Sequence, residues 1–326
     1  MTANRSLTFA TGPYDRMRSL FDGSVRIEGI HLQPRIIGRP VELFSRMLEH
    51  REFDIAEMSL THCYALPTLG RDDFVSLPVF PSRMFRHGFI FINRQSGIVL
   101  PQDLAGKRIG VQGHQMTAAV WIRGLLRDTF DVDLSTVRWF EGGVNEPGVV
   151  GGGTMELRPR IPIDIHHIRP DTTLSDMLAS GEIDALIGAF TPKSFGASPD
   201  VVRLLEEPAS QERAYFAKTG IFPIMHALVV KREIFDSDLA LAAKIMRACE
   251  ASKQAALQSM AFSAALAVTL PWLLDHIEET KEIMGADPWP YGIEPNRLTL
   301  EAFGRILHED GFTPTALTPE EVFAQA

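Results

Sequence analysis

Two arginines and a histidine lie within five positions of one another in the segment 81–94, PSRMFRHGFIFINR. Arg83, Arg86 and His87 come directly before residues 88–92, an apolar run typical of a strand deep in a sheet. Charge at the mouth of a buried strand is costly unless an anion meets it. A protein carboxylate is one such anion. The clustering favours a second one, a small molecule whose carboxylates the guanidinium groups bind, so the segment is predicted to be the anion-binding edge of a cleft.

Polar residues also follow two predicted strands in the first part of the chain. Residues 6–10 precede Tyr14 and Arg16, and residues 53–56 precede Glu57, Ser59 and Thr61. The carboxyl ends of strands form the binding edge of an open α/β sheet, which makes these side chains candidate ligands. The alternatives are that Arg16 is a solvated residue at a helix start and that Glu57 only places charge at the start of the next helix.

A second set of candidates follows the predicted strand 108–112. A glycine turn leads through His114, Gln115 and Thr117 into a helix, an arrangement that offers hydrogen-bond donors to an anion. Neither a Rossmann fingerprint nor a P-loop is present. Glu141 follows another predicted strand, 137–140, and His226 precedes the apolar strand 227–231. Both are added to the candidates.

Strands that alternate with helices predict an α/β protein of two lobes. The boundaries are residues 1–92 for the first part of lobe 1, 95–225 for lobe 2, and 227–326 for the second part of lobe 1 with C-terminal helices packed on it. Residues 41–50 are predicted to form an amphipathic helix with one apolar face. The strands near residues 90–94 and 225–229 are predicted to be the two hinge crossings.

Composition excludes several classes of partner. The chain has 326 residues, enough for two domains of about 100–200 residues each. Its formal net charge of −9 argues against nucleic acid and against an anionic membrane surface, because both need a basic face. No apolar run approaches the ~20 residues that span a bilayer. The expected partner is therefore a small molecule, and a homo-oligomer is left open.

Cysteine usage and the N-terminus indicate a reducing compartment. Cys63 and Cys249 are too few for a disulfide framework and lack metal-ligand spacing. The first residues, MTANRSLTFATGPYDR, do not have the pattern of a secretion signal, so a cytoplasmic location is expected. No metal is assigned, although a divalent ion is left open because the histidines and carboxylates are scattered along the chain.

Six motifs make the chain resemble the 4,5-dihydroxyphthalate decarboxylase family, relatives of the type 2 periplasmic solute-binding proteins. The motifs are HREFDIAEMSL (50–60), FPSRMFRHGFIFIN (80–93), LAGKRIGVQGHQMTAAVWIRGLL (104–126), GGVNEPG (142–148), RAYFAKTGIFPIMHALVV (213–230) and DPWPYGIEPNR (287–297). They are spread over almost the entire chain. The resemblance implies two α/β lobes joined by two hinge strands, with a ligand clamped between them.

The resemblance also implies a carboxy-lyase that acts on a hydroxylated aromatic dicarboxylate, such as 4,5-dihydroxyphthalate, without an organic cofactor. Two alternatives stay open: an intracellular binding protein for an aromatic or dicarboxylic acid that performs no chemistry, and another cofactor-free lyase on the same scaffold. A decarboxylase needs cations for the carboxylate that stays, a base at the hydroxyls and a proton donor over the ring. The cation candidates are Arg16, Arg83 and Arg86, the base candidates are Glu57 and Glu141, and the donor candidates are His87, His114 and His226. His87 is the first choice as proton donor.

Overall fold

The structure is a computed structural model that describes residues 5–149, 157–238 and 240–325. Its residues group into two compact units. Unit 1 contains Met1–Arg83, His226–Leu300 and Thr318–Ala326, and unit 2 contains Met84–Met225 and Glu301–Leu317. The described strands are β1 (Arg5–Thr11), β2 (Ile30–Ile36), β3 (Ile55–Ser59), β4 (Phe74–Arg83), β5 (Ile90–Asn93), β6 (Arg108–Val111), β7 (Arg138–Glu141), β8 (Ile165–His167), β9 (Ala185–Ile187), β10 (Val201–Arg203) and β11 (Ile224–Lys231).

The described helices surround these strands. They are α1 (Arg18–Phe21), α2 (Pro40–His50), α3 (Leu60–Thr68), α4 (Thr117–Phe130), α5 (Leu174–Ser180), α6 (Pro208–Thr219), α7 (Arg232–Asp236), α8 (Leu241–Met260), α9 (Leu273–Met284), α10 (Arg297–Glu309) and α11 (Pro319–Val322). Within the described ranges, no helix is both long enough and apolar enough to cross a bilayer.

The sheet of unit 1 has the strand order β2-β1-β3-β11-β4. Strand β1 pairs in parallel with β2 and β3, whereas β11 runs antiparallel to β3. The predicted helix 41–50 is confirmed as α2, which begins with Pro40 and buries Leu43, Phe44, Met47 and Leu48. Proline suits the first helical position because its missing N–H would have no partner there.

The predicted strand 53–56 is displaced along the chain. Strand β3 covers Ile55–Ser59, so Glu57 lies inside the strand and not beyond its end. Both edges of β3 are hydrogen-bonded, one to β1 and the other to β11 as far as Ser59. The pairing with β11 covers Glu57 and Ser59, so these polar residues stay extended.

The sheet of unit 2 has the strand order β10-β5-β9-β6-β7-β8. Strands β9, β6, β7 and β8 are parallel neighbours, and β5 pairs antiparallel with both β9 and β10. A hydrophobic core forms on this sheet around Ile109, Ile122, Leu126 and Trp139. The mixed sheet with flanking helices is the α/β architecture that the sequence predicted.

The C-terminal helices divide between the units. Helix α8 packs on α1 and β4 in unit 1, as predicted for the C-terminal helices. Residues 227–326 were all predicted to belong to lobe 1, but Glu301–Leu317 group with unit 2. The physical reason is a buried ion pair between Asp310 and Arg123 of α4, together with the side chain of Ile306, which fills the space above Gly124. The other lobe boundaries remain predictions.

Candidate active site

Glu57 is the centre of a buried polar cluster in unit 1. Its Oε2 accepts a hydrogen bond from the backbone N–H of Gly12 at 2.9 Å. Its Oε1 accepts from the hydroxyl of Tyr14 at 2.7 Å and lies 2.6 Å from Nδ1 of His226. The side chain of Glu57 is 1% exposed and that of His226 is 15% exposed, so the histidine is the more accessible member of the pair.

Sheet topology brings these residues together from distant parts of the sequence. His226 pairs with Ser59 and Leu228 pairs with Glu57 between β11 and β3. Residues two positions apart on a strand point to the same face, so Glu57 and His226 are diagonal neighbours on that face. Strand β1, on the other side of β3, delivers Gly12 and Tyr14 just beyond its last residue.

Hydrogen bonding keeps Glu57 ionised. Burial alone would raise the pKa of its carboxyl, but the hydrogen bond and charge of His226, with the donors of Gly12 and Tyr14, lower the pKa below its usual value. An ionised carboxylate can only accept hydrogen bonds, so Nδ1 of His226 must carry the hydrogen that it shares with Glu57. Burial and the neighbouring Glu57 raise the pKa of Tyr14, which keeps its hydroxyl a neutral donor. The Nε2 atom of His226 is therefore the nitrogen left for chemistry.

A glycine allows Tyr14 to reach Glu57. A Cβ added at Gly12 would lie 2.9 Å from two ring atoms of Tyr14, closer than real contacts permit. The ring of Phe44 supports His226 from another direction in an edge-on arrangement, with centroids 4.9 Å apart. Gly12 and Phe44 were not among the predicted site residues. The turn Thr11-Gly12-Pro13 was the only sequence signal for the glycine, and nothing local marked Phe44.

Arg16 contacts two aromatic rings. Its guanidinium carbon is 4.3 Å from the ring centroid of Tyr14 and 4.2 Å from that of Trp289. Its Nε donates to the carbonyl of Pro81 at 2.7 Å, and its Nη1 donates to Asp15 at 3.0 Å. These hydrogen bonds to described residues use Nε and Nη1, so Nη2 can donate to a ligand. The cation is thereby fixed beside the Tyr14–Glu57–His226 cluster.

Trp289 is a site residue that the reasoning from sequence missed. It belongs to the motif DPWPYGIEPNR, one of the six that carry the family resemblance, and no role was predicted for it. Its indole Nε1 donates to the carbonyl of Phe80 at 2.8 Å. This hydrogen bond fixes the orientation of the ring that contacts Arg16. A tryptophan between two prolines was the available signal.

Three further predicted ligands in unit 1 are buried beside the strand ends. Arg83, at the end of β4, donates to the side-chain amide oxygen of Asn296, and burial lowers its pKa to about 9. Ser59 ends β3, and Thr61 lies in the first turn of α3. A ligand role for Arg83 remains a prediction.

Arg86 and His87 lie in unit 2, with α6 packed against the turn that contains His87. Burial lowers the pKa of Arg86 to about 10, and its Nε contacts the thioether sulfur of Met225 at 3.3 Å, a weak acceptor. Burial also lowers the pKa of His87 to about 4. A histidine that is neutral near pH 7 is a poorer proton donor than a charged one, and the catalytic role of His87 remains a prediction.

The remaining predicted site residues of unit 2 are largely buried among other residues of that unit. His114 is buried with its ring 5.1 Å from that of Trp139, and burial, followed by the charge of Arg123, holds its pKa well below the usual value. The backbone N–H of His114 donates to Glu141 at 3.1 Å. Gln115 accepts a hydrogen bond from the backbone of residue 157, and Thr117 is the buried first residue of α4. Their predicted roles at a ligand remain untested.

Among the described residues, neither of the two predicted histidine donors in unit 2 has a carboxylate within hydrogen-bonding distance of Nδ1. For His87, the nearest carboxylate oxygen is 4.0 Å away, on Glu212. In the described ranges, no group of three or more histidine, cysteine, aspartate or glutamate side chains has the arrangement of a metal site.

The depressed pKa of His87 predicts a pH dependence of stability. An unfolded chain binds this proton near pH 6.5, whereas folded His87 binds it near pH 4. Between these values the unfolded state holds more protons, so the free energy of unfolding should fall as the pH falls, by up to ~1.4 kcal/mol per pH unit. Urea unfolding at pH 7, 5.5 and 4.5 should show a shallower decline for His87→Gln than for the wild type. Parallel declines would show that His87 is not buried in its neutral form.

Comparison with known proteins gives two sequence relatives, whereas no family model matches the chain. A 4,5-dihydroxyphthalate decarboxylase of Comamonas testosteroni is 34% identical over 321 residues, which cover 98% of this chain and 96% of that protein. A protein of the same name from Pseudomonas putida is 39% identical over 205 residues, which cover 62% of this chain and 78% of that protein.

Solved structures share the fold at low sequence identity. A putative periplasmic sulfonate-binding protein, SsuA of Methylobacillus flagellatus KT, has a TM-score of 0.60 at 11% identity and covers 99% of this chain and 92% of its own. The Candida albicans CA3427 product, described as having the generic periplasmic binding protein fold, has a TM-score of 0.53 at 12% identity, with coverage of 97% and 93%. The fold is thus of the periplasmic-binding-protein type. With the similarity to the Comamonas protein along nearly its whole length, the chain belongs to the 4,5-dihydroxyphthalate decarboxylase family.

Proposed function

We propose that this protein decarboxylates 4,5-dihydroxyphthalate to 3,4-dihydroxybenzoate and carbon dioxide. The observation that carries the proposal is the 2.6 Å contact between Nδ1 of His226 and the buried carboxylate of Glu57. Histidine is the side chain that exchanges protons near neutral pH, and a carboxylate partner stabilises its charged form. The family to which the chain belongs supports the choice of substrate.

The reaction needs one proton on carbon and one ionised hydroxyl. With the hydroxyl para to the departing carboxylate ionised, a proton adds to the ring carbon that bears this carboxylate, and the ring becomes a dienone. The bond from that carbon to the carboxylate then breaks, its electrons return to the ring and restore the phenolate, and carbon dioxide leaves. The phenolate finally takes up a proton. The dienone accepts the electrons of the breaking bond, so the proposed chemistry requires no organic cofactor.

We assign the proton transfer to carbon to Nε2 of His226. Glu57, which the sequence suggested as a base at the hydroxyl, is 1% exposed on its side chain and already accepts three hydrogen bonds. It is better suited to orient the imidazole and stabilise its positive charge, as buried carboxylates do for catalytic histidines. Tyr14 completes this arrangement because its neutral hydroxyl donates to Glu57.

We assign the carboxylate that remains on the ring to Arg16. The guanidinium is held by the rings of Tyr14 and Trp289, so little side-chain freedom is lost when a ligand binds. A fixed carboxylate sets the position of the neighbouring ring carbon relative to His226, and such positioning accounts for a large part of many catalytic rates.

The direct test is incubation with 4,5-dihydroxyphthalate labelled with ¹³C in its carboxylates. Release of labelled carbon dioxide with equimolar 3,4-dihydroxybenzoate is expected, both with and without a chelator of divalent metals. In D₂O the product should carry one deuterium, at the carbon that lost its carboxylate. Tight binding of 4,5-dihydroxyphthalate without turnover would instead favour a binding protein, and turnover only of a non-aromatic acid would favour another lyase.

Replacing Arg16 by alanine should weaken the binding of phthalate, a dicarboxylate without the reacting hydroxyls, by ~2–5 kcal/mol. Arg16→Lys should restore little, because an ammonium lacks the planar pair of donors and the stacking of a guanidinium. Calorimetric titration measures both affinities. Arg18→Ala is the matched control, since Arg18 is exposed and only two positions away. Phthalate binding by Arg16→Ala that equals the wild type would remove Arg16 from the site.

A further inference from the structure

Lys253 is a buried lysine on α8, outside the cluster described above. Its side chain is 1% exposed, although an ammonium group is costly to remove from water. A buried charge of this kind is tolerated only when its partners are well placed. The identity of these partners therefore indicates what the residue does.

The partners of Lys253 lie mainly on the segment 287–292, all of it described, which forms neither helix nor strand. The ammonium contacts Oδ2 of Asp287 at 2.5 Å and donates to the carbonyl of Trp289 at 3.1 Å. It also lies 4.9 Å from the ring centroid of Tyr291 and 3.0 Å from Glu250 on its own helix. One charged group thus holds three alternate residues of an irregular segment.

The held segment leads directly to the candidate active site. Oδ1 of Asp287 accepts the backbone N–H of Trp289 at 3.1 Å, so Lys253 and Asp287 together fix the main chain of the tryptophan. The rings of Trp289 and Tyr14 both contact the guanidinium of Arg16. The position of Arg16 therefore depends on Trp289, whose main chain is anchored by Lys253 from outside the site.

We propose that Lys253 is a positioning residue for substrate binding, which acts through Trp289 on the guanidinium of Arg16. This role rests on the proposed function, because it gives Arg16 a substrate carboxylate to hold. The role differs from general stabilisation. A structural lysine affects folding alone, whereas a positioning lysine changes ligand affinity only as long as Trp289 is present.

The test is a double-mutant cycle with phthalate as the probe. Lys253→Met keeps most of the length of the side chain but removes its charge, and it should weaken phthalate binding about tenfold. Trp289→Leu should weaken phthalate binding as well. The double variant should bind about as weakly as Trp289→Leu alone, because Lys253 acts on Arg16 only through Trp289. Lys244→Met is the control, since Lys244 lies on the same helix α8 but pairs with Asp238, outside the segment 287–292.

A second readout needs no ligand. The fluorescence of Trp289 is taken as the difference between proteins with and without Trp289→Phe. Acrylamide should quench this fluorescence more strongly in Lys253→Met than in the wild type, but not in Lys244→Met. Lys253→Arg should recover part of the wild-type behaviour. If Lys253→Met does not fold, Asp287→Asn removes the partner charge and should give the same two effects.

Two outcomes would overturn the inference: additive effects of Lys253→Met and Trp289→Leu on phthalate affinity, or unchanged fluorescence of Trp289 in Lys253→Met. Failure of the proposed function looks different. In that case the wild type releases no carbon dioxide, while the change in Trp289 fluorescence still occurs.

Discussion

His226→Gln should lower the single-turnover rate of 4,5-dihydroxyphthalate decarboxylation by ~10²–10⁴-fold, with little change in the affinity for phthalate. Glutamine keeps a polar side chain that can still contact Glu57, but it cannot donate a proton to carbon near neutral pH. If His226 is the proton donor, the substitution therefore lowers the rate and leaves the affinity for phthalate nearly unchanged. Rapid-quench measurement of 3,4-dihydroxybenzoate, beside calorimetric titration with phthalate, gives both quantities.

His87→Gln is the matched control for this experiment, because His87 is a buried histidine that is neutral near pH 7. Its chemical step should stay within a few-fold of the wild type. A normal rate in His226→Gln together with a slow rate in His87→Gln would reverse the assignment and return the proton transfer to His87. Loss of phthalate binding in His226→Gln at an unchanged chemical rate would make His226 a ligand-binding residue.

Asp310→Ala should reduce the free energy of unfolding by ~3–5 kcal/mol, because it leaves two guanidinium groups without their shared carboxylate. Oδ2 of Asp310 lies 2.6 Å from Nη2 of Arg123, and its Oδ1 lies 2.5 Å from Nη1 of Arg127. Arg123 and Asp310 are each 2% exposed, so water cannot replace the lost partner. Urea unfolding followed by circular dichroism measures the change.

The control for Asp310→Ala is the exposed pair in which Arg305 contacts Asp128, since Asp128 lies on α4 and Arg305 lies on α10, the helix that Asp310 directly follows. Asp128→Ala should cost less than ~1 kcal/mol, because exposed ion pairs contribute little. Equal losses in the two variants would contradict the account of why 301–317 group with unit 2. A double variant that replaces both Arg123 and Asp310 by apolar residues should recover part of the loss of Asp310→Ala, since no charge of that pair then stays buried.

The sequence by itself identified the fold class, the family and most of the candidate side chains. Period-two and helical patterns are local, so β1 and the buried face of α2 could be predicted from adjacent residues. Tyr14, Arg16 and Glu57 were found because polar residues near a strand end mark the binding edge of an α/β sheet. Residue types at sequence positions were sufficient for these steps.

The cluster of charges at 83–87 shows the limit of such reasoning. Arg83, Arg86 and His87 are close in sequence, and this closeness suggested one anion site. In the structure Arg83 ends β4 in unit 1, whereas Arg86 and His87 belong to unit 2. Burial lowers the pKa of His87, and burial is set by residues such as Tyr215 that are far away in sequence. Local spacing carries no information about this desolvation.

Only the tertiary structure decided which histidine meets a carboxylate. Glu57 and His226 are 169 positions apart, and antiparallel pairing of β3 with β11 makes them diagonal neighbours. Trp289 contacts Arg16 over an even longer separation in sequence, and it lies in an irregular segment whose main chain accepts a hydrogen bond from Lys253. The protonation state of a buried group depends on its charged and hydrogen-bonding neighbours in space. The sequence therefore determined which groups are available for chemistry, and folding decided which of them are paired.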